Sequence, residues 1–229
     1  MKTHKEMVNN VLVRLREREV DSVNENSYSK LISLFINDAK EFVESAWNWS
    51  VLRQTLTAVT QDGVFNYVLT GAGNNVAILD VVNLASNTFL KYKDPHWFNN
   101  VFLNNTPVEG NPEYYVFNGV SVAGDTQVDL YPIPNGVYTI YFNVIMRSQE
   151  LVADADTVRV PHLPVQALAY AMALEERGED GGMSAVSAKA LAQNFLSDAI
   201  ALDAMLELTL AMLGLAGLRT VEKLNGKAT

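Results

Sequence analysis

The chain has 229 residues, 48% of them hydrophobic and 19% charged, and its 17 basic and 26 acidic side chains leave a formal net charge of −9. That balance describes a globular chain and works against a surface built to grip phosphate backbones. Cysteine is absent, which excludes disulfide scaffolds, zinc–cysteine sites and thiol catalysis.

The first six residues carry Lys2, Lys5 and Glu6, and no apolar stretch with a small-residue cleavage site follows, so the start does not read as a signal peptide. Thr3 with Glu6 forms a capping box. It opens a short helix whose apolar positions Val8, Val11, Leu12 and Leu15 recur at helical spacing. Ser27 is expected to cap a second helix, over 28–46, with Tyr28, Leu31, Ile32, Phe35, Ile36, Ala39, Phe42, Val43 and Ala46 on one stripe. It runs into Trp47 and Trp49, whose spacing suits a helix end or an emerging strand.

From residue 51 to about 147 the texture becomes β-branched and aromatic, broken by Gly, Pro and Asn clusters. Strands are expected at 51–60, 65–70, 76–84, 114–117, 120–123, 127–131 and 138–146. Asn118-Gly119 suits a type I′ hairpin turn, which needs positive φ at both central residues. The stretch 94–112 reads as a long loop carrying Trp97, Asn99, Asn100, Asn104 and Asn105. Helix returns after Pro161: Pro164 suits a first turn, Val165, Leu168, Ala169 and Met172 mark a face, and Gly178 closes it. After a polar turn at 179–182, Ser184 is expected to cap a long helix with Leu191, Phe195, Ala199, Leu202 and Leu206 inward. Residues 219–229 read as a polar, frayed tail.

These elements describe an α+β chain: a helical bundle built from both chain ends (1–50 and 162–218) with an inserted antiparallel β-rich domain (51–161). The helices at 28–46 and 184–206 are expected to form the bundle core, with Phe35, Phe42, Phe195 and Leu202 inside. No segment is basic, with 7 basic against 8 acidic side chains over 1–50, 5 against 10 over 51–161 and 5 against 8 over 162–229.

Chemistry is sparse. His4, His96 and His162 lie in three different segments with no metal-binding spacing. His4 is expected to be solvated in the first helical turn, and His162 to cap or pack. Gly71-Ala72-Gly73 begins like a dinucleotide fingerprint, but position 76 is valine and no helix pattern follows, so it reads as a strand-connecting turn. Gly182-Met183-Ser184 lacks the second glycine of a nucleophile elbow. Asp154 and Asp156 have the spacing to bind a cation from one side of an extended segment, with a solvated linker as the competing reading. Glu175, Glu176, Glu179 and Asp180 crowd a helix C-terminus against the macrodipole preference. Nothing here supports an enzyme, and no cofactor is expected. Trp47 and Trp49 are expected to pack, whereas for Trp97 an interface role and packing on its own sheet stand level.

The window 199–218 has the length of a membrane span, but Asp203 and Glu207 interrupt it and each costs roughly 2.5–3.5 kcal/mol at a bilayer centre. It reads as a segment of a soluble chain. Within it, 208–218 is apolar around the whole helix axis, with Gly214 and Gly217 allowing close approach. A helix greasy on all sides needs burial on all sides, so Leu208, Leu210, Met212, Leu213, Leu215 and Leu218 are expected to meet a neighbouring copy or a larger partner.

The order of these elements resembles the head-to-tail adaptor (connector, head-completion) proteins of tailed bacteriophages. The residues that carry the resemblance are Tyr28 through Asn37-Asp38-Ala39-Lys40 to Ala46-Trp47-Asn48-Trp49 and Leu52-Arg53, then Leu130-Tyr131-Pro132 with Tyr138-Thr139-Ile140. Pro161-His162-Leu163-Pro164-Val165-Gln166-Ala167-Leu168 with the helix that follows completes it, from about residue 8 to 210. The resemblance implies a virion protein made in the host bacterial cytoplasm. It implies a homo-oligomeric, usually dodecameric, ring under the portal protein that docks tail or nozzle proteins and lets DNA pass without specific binding. Its C-terminal region would reach toward the portal. In such a ring Trp97, Asn99 and Asn100 would meet the tail or a neighbouring copy; the alternative is a tail-associated or secreted module that binds carbohydrate through Trp97 and the nearby Asn99, Asn100, Asn104 and Asn105.

Overall fold

The computed structural model describes residues 1–73, 76–178 and 185–224, with side chains at all of these except 103 and 214–224. The chain divides into two compact units, Met1–Val51 with Ser148–Thr229, and Leu52–Arg147.

The first unit is helical. Helix α1, His4–Arg14, starts at the expected capping box: Thr3 Oγ1 accepts from the Glu6 amide at 3.2 Å, and Glu6 Oε2 accepts from the Thr3 amide at 2.9 Å. Helix α2, Ser27–Ala46, is capped by Asn26 rather than Ser27. Asn26 Oδ1 accepts from the Ser29 amide at 2.8 Å and Ser29 Oγ accepts from the Asn26 amide at 3.2 Å, so a reciprocal box sits one residue earlier than expected. Two further helices return after the second unit. Helix α4, His162–Arg177, ends at Gly178 in the left-handed conformation, φ 62°, as its sequence predicts. Helix α5 runs unbroken over Ala185–Leu224, past residue 219, where a frayed tail was expected. Ser184 and the motif Gly182-Met183-Ser184 lie outside the described residues.

Helix α4 is the centre of this unit. Its buried side chains are mostly small, including Ala167, Ala169, Ala171 and Ala173, which lets neighbouring helices approach its backbone. Helices α2 and α5 each pack chiefly on α4, and α1 lies against α2 and α4. The expectation that α2 and α5 interdigitate through Phe42 and Leu202 is therefore corrected: Phe42 is 53% and Leu202 69% exposed. Phe35 and Phe195 are half-buried. The core of α2 is instead Ile32, Ile36, Ala39 and Val43, facing Met7, Val8, Val11 and Leu12 of α1 and the alanines of α4.

The second unit is β-rich. One sheet has the order β1 (Arg53–Val59), β10 (Thr139–Met146), β3 (Val76–Asn83), β4 (Thr88–Phe89), all antiparallel. The other runs β2 (Asn66–Val68), β8 (Thr126–Tyr131), β7 (Tyr114–Val120), β5 (Lys91–Tyr92). Its β5–β7 pair is parallel, as is the short pair β6 (Glu109–Gly110) with β9 (Ile133–Pro134), so the unit is not purely antiparallel. Val81, Ile140, Phe142 and Val144 of the first sheet share one apolar core with Tyr115, Val128 and Leu130 of the second. Ile140, Phe142 and Val144 alternate along β10, as the period of a strand predicts.

Two expectations fail in this unit. The long loop at 94–112 contains helix α3, Pro95–Leu103: Asp94 Oδ1 accepts from the Trp97 amide at 2.9 Å and Pro95 opens the first turn. Asn118-Gly119 is not a hairpin turn. Both residues lie within β7, where the register with β8 shifts between Phe117 and Val120, and Gly119 takes φ 91°. The hairpin closes over residues 121–125 instead, through Gly124 at φ 90° and the Asp125 amide donating to Ser121 Oγ at 3.1 Å. Asn-Gly supplies positive φ to a bulge as readily as to a turn.

Candidate functional site

Helix α5 leaves a run of apolar side chains open to water between Leu202 and Leu213. Leu202, Met205, Leu206, Leu208, Leu210, Met212 and Leu213 are all exposed, Leu208 at 59% and Leu213 at 63%. Leu208, Leu210, Met212 and Leu213, expected to meet a neighbouring copy or a larger partner, are left open by the chain's own fold. Leu215 and Leu218 lie where side chains are not described. Isolated exposed leucines are ordinary, but a contiguous series over three turns is a recognition surface or an aggregation hazard. Among the described residues no helix is long and apolar enough to cross a membrane.

This stripe begins at a cleft of ≈ 380 Å³ in the first unit. Trp49, Val158, Val160 and Pro161 line it, with Leu202 and Leu206 as one wall and Lys2, Arg159 and His162 beside it. Trp49 is fully buried and donates from Nε1 to the Val43 carbonyl at 2.7 Å. Trp47 stays partly exposed at the end of α2 and donates from Nε1 to Asp203 Oδ2 at 3.1 Å. The same carboxylate accepts from the Ser50 hydroxyl at 2.6 Å and the Ser50 amide at 3.2 Å. Asp203, which argued against a membrane span, thus fixes α5 to the segment leaving α2. His162 occupies the first position of α4. Burial and the nearby Lys2 ammonium hold its imidazole below the ordinary value.

A second constellation ties the segment 148–157 to the helices. Lys40 and Glu44, one turn apart on α2, are both buried. Lys40 Nζ donates to the carbonyls of Ser148 and Gln149 at 2.9 Å each and to Ser148 Oγ at 3.0 Å, and Glu44 accepts from the Ser148 amide at 3.0 Å and from its hydroxyl. Asn37 pairs with both backbone groups of Leu151 at 2.9 and 3.0 Å. Burial holds the Lys40 ammonium below its ordinary value, opposed by Glu44.

Asp154 and Asp156 belong to this lashing. Asp154 Oδ1 accepts from the Val23 amide at 2.8 Å, and Asp156 Oδ2 accepts from the amides of Val152 and Ala153 at 2.7 Å each. Those amide bonds hold both carboxyls below the usual range. Their carbonyls accept from the first amides of α1, Asp156 from His4 at 2.7 Å and Asp154 from Lys5 at 3.2 Å. Among the described residues no group of three or more His, Asp or Glu is placed to hold a metal. His4, expected to be solvated, is 0% exposed, with Nε2 3.0 Å from Ser33 Oγ. The segment 152–157 folds over the start of α1 and seals the ring, which spacing within the helix alone could not reveal.

In the second unit, Trp97 packs on its own sheet. Its ring centroid lies 5.1 Å from Tyr114 and 5.6 Å from Tyr131, with Lys93 Nζ 5.2 Å over the indole. Asn99 and Asn100 are exposed on α3, and Asn100 accepts from the Asn104 side chain at 2.7 Å. Of the level readings for Trp97, packing accounts for its contacts within the unit. Gly71-Ala72-Gly73 is a turn, as its sequence predicts: Asp125 Oδ1 accepts from the amides of Gly71 and Gly73 at 3.0 Å each. At the end of α4 the excess acid is partly met by Lys189, 2.7 Å from Glu175. Glu179 and Asp180 lie outside the described residues.

The SU10 adaptor protein family matches residues 2–211, nearly the whole chain. The chain belongs to the SU10 adaptor protein family. Membership agrees with the head-to-tail adaptor resemblance and makes the protein a structural component of a phage virion. None of the curated proteins searched matches the chain. Membership in an adaptor family implies surfaces that meet other virion components. The match ends at residue 211, inside the exposed apolar stripe, so Met212 and Leu213 lie beyond it.

Proposed function

We propose that the protein is the non-enzymatic adaptor ring of a tailed-phage virion, docked under the portal, extending the DNA channel and presenting the surface to which tail or nozzle proteins attach. One observation carries the reading: α5 offers water a contiguous apolar series from Leu202 to Leu213. Such a surface is stabilised only by a partner, and covering it is the largest favourable term in view, at roughly 1.5–3 kcal/mol for each fully buried leucine or methionine. The net charge of −9 supports the channel part of the reading, because gripping a duplex requires Lys and Arg contacts to phosphate. The C-terminal stripe, with Leu208, Leu210, Met212, Leu213, Leu215 and Leu218, is the part assigned to the portal.

The test is co-sedimentation of a chain lacking residues 208–229 with portal-bearing heads. The truncated chain is expected to lose from its far-ultraviolet circular dichroism only the helical signal of the deleted turns, and to lose attachment. A folded, truncated chain that still attaches places the anchor elsewhere, at the α4 end of the helical unit.

A further inference from the structure

Helix α5 carries two apolar ridges with different surroundings. Leu202 and Leu206 line the cleft beside Trp49 and Val51. At 3.6 residues per turn, Met205, Leu208 and Met212 form a second ridge, turned about a third of a turn away from the first. All three are exposed and have no place in the cleft of their own chain. A single copy therefore displays both an apolar ridge and an apolar cleft that it does not fill itself.

Charge distinguishes the two surfaces. Lys2, Arg159 and His162 stand at the cleft, and its one carboxylate, Asp203, is committed to Ser50 and Trp47. Asp198, exposed and seven residues before Met205, lies on the ridge side of the helix. A ridge with an acidic neighbour and a cleft with a basic rim are complementary, and both belong to one sequence.

We propose that the Met205–Leu208–Met212 ridge of one copy seats in the Trp49–Val51–Leu202 cleft of the next, with Asp198 meeting the Lys2 and Arg159 rim. The inference rests on the ring reading above and supplies the contact that would join neighbours. Because ridge and cleft are different surfaces, the contact is head-to-tail, and such contacts either close into rings or run on as filaments. In such a ring Leu208 and Met212 serve the neighbouring copy, and of the stripe assigned to the portal Leu210, Leu213, Leu215 and Leu218 are left for it.

The absence of cysteine makes the test direct. A full-length Met205→Cys/Val51→Cys variant has only those two thiols. Mild oxidation at low micromolar protein is expected to give a ladder of disulfide-linked multimers on a non-reducing gel, while Val51→Cys alone gives none. Adding Leu208→Glu is expected to abolish the ladder and to lower the mass seen in sedimentation velocity, with an unchanged circular dichroism spectrum. Three results overturn the proposal: no ladder, a ladder of equal strength with Leu208→Glu present, or a disulfide only within one chain, seen as a faster-running monomer. Binding of the unoxidised double variant to portal-bearing heads separates the two readings. Attachment without a ladder removes this interface and leaves the adaptor reading standing, whereas a ladder without attachment does the reverse.

Discussion

His4 Nε2 stands 3.0 Å from the Ser33 hydroxyl in a site closed to water, at the start of a helix whose first amides are held by the carbonyls of Asp154 and Asp156. Burial holds the imidazole below its ordinary 6.5, although the Ala153 carbonyl and the acids Asp156, Asp154 and Glu150 pull the other way. The unfolded chain therefore takes up a proton at His4 before the folded one does. Stability is at its full value above about pH 6.5 and falls as pH drops through that value toward the lowered folded one. His162, also held low by burial, adds to the same window. Asp154 and Asp156 act only in more acidic solution, around and below their ordinary 3.8. Thermal unfolding from pH 7.5 to 5.5 is expected to lose midpoint steadily, and His4→Gln/His162→Gln to flatten that slope. An equal slope in the double variant sinks the assignment.

Asp129 gives a dependence of opposite sign. Its carboxyl is buried between Asn66 Nδ2 at 2.6 Å and Asn118 Nδ2 at 3.3 Å, and burial pushes it above the ordinary 3.8 despite those two donors. The folded state holds this proton more tightly than the unfolded one. Stability is therefore lost as pH rises through the window, and the deficit persists at neutral pH. Asp129→Asn keeps an oxygen for both asparagine donors and removes the charge. It is expected to raise the neutral-pH midpoint of the β-rich unit, whereas Asp129→Ala, which leaves both donors unpaired, is expected to lower it. A lowered midpoint in Asp129→Asn contradicts the reading.

The Lys40–Glu44 pair predicts non-additive energetics. Lys40 Nζ lies 3.8 Å from Glu44 Oε1, and each also satisfies Ser148. Removing one partner strands the other charge in the interior, so Lys40→Met or Glu44→Leu alone is expected to cost about 3–5 kcal/mol. The double variant is expected to cost clearly less than the two singles together, measured by urea denaturation. It stays destabilised, because the Ser148 amide and the 148 and 149 carbonyls lose their partners. Strict additivity would show that the two charges do not depend on each other.

Element type was legible wherever a local rule suffices. The box of Thr3 and Glu6, the left-handed Gly178 and the alternation that puts Ile140, Phe142 and Val144 inward are all written within a few residues. Helix α3 was equally legible, since Asp94 followed by Pro95 is a cap signal, but the neighbouring asparagines masked it as loop. What sequence periodicity could not supply was the identity of the packing partner. The stripe of α2 is wide enough to include Phe42, yet the alanine-lined α4 needs only its Ile36 and Val43 edge, so Phe42 is left beside a cleft of ≈ 200 Å³ with Leu168 and Leu196. The burial of His4 and the anchoring of Asp203 escape local rules for the same reason, because their partners are distant in the chain. In the candidate site, the apolarity of 208–213 was readable directly, whereas the cleft joins residues near 2, 49, 160 and 202 and exists only in the fold.

That revised core makes its own prediction. Ile36 is fully buried, and Ile36→Ala is expected to cost about 2–5 kcal/mol through lost burial and the cavity left behind. Phe42→Ala, half in water, is expected to cost much less despite removing the larger side chain. Equilibrium unfolding of the two variants under identical conditions checks the order, and a costlier Phe42→Ala would restore the interdigitated arrangement of α2 and α5.

Asp203 fastens α5 to the end of α2 where the apolar stripe begins. Its carboxylate takes three hydrogen bonds, from Trp47 Nε1, Ser50 Oγ and the Ser50 amide, at the turn of α5 where the exposed leucines begin. Farther along the helix, Leu208 and Leu210 face water. Hydrogen bonds to a charged acceptor contribute about 1.5–3 kcal/mol each when buried, and less here because Trp47 is partly exposed. Asp203→Ala is therefore expected to leave the buried core of the helical unit folded, with only a modest loss of midpoint, and to release the end of α2 from α5. Trp47 emission is expected to shift to the red, since its indole loses its carboxylate partner and gains water, while Trp49, held by the Val43 carbonyl, keeps its emission. Hydrogen exchange is expected to quicken from about residue 200 onward and to stay slow through 185–196. Unchanged exchange beyond residue 200 in Asp203→Ala would mean that the helix holds its course without this carboxylate.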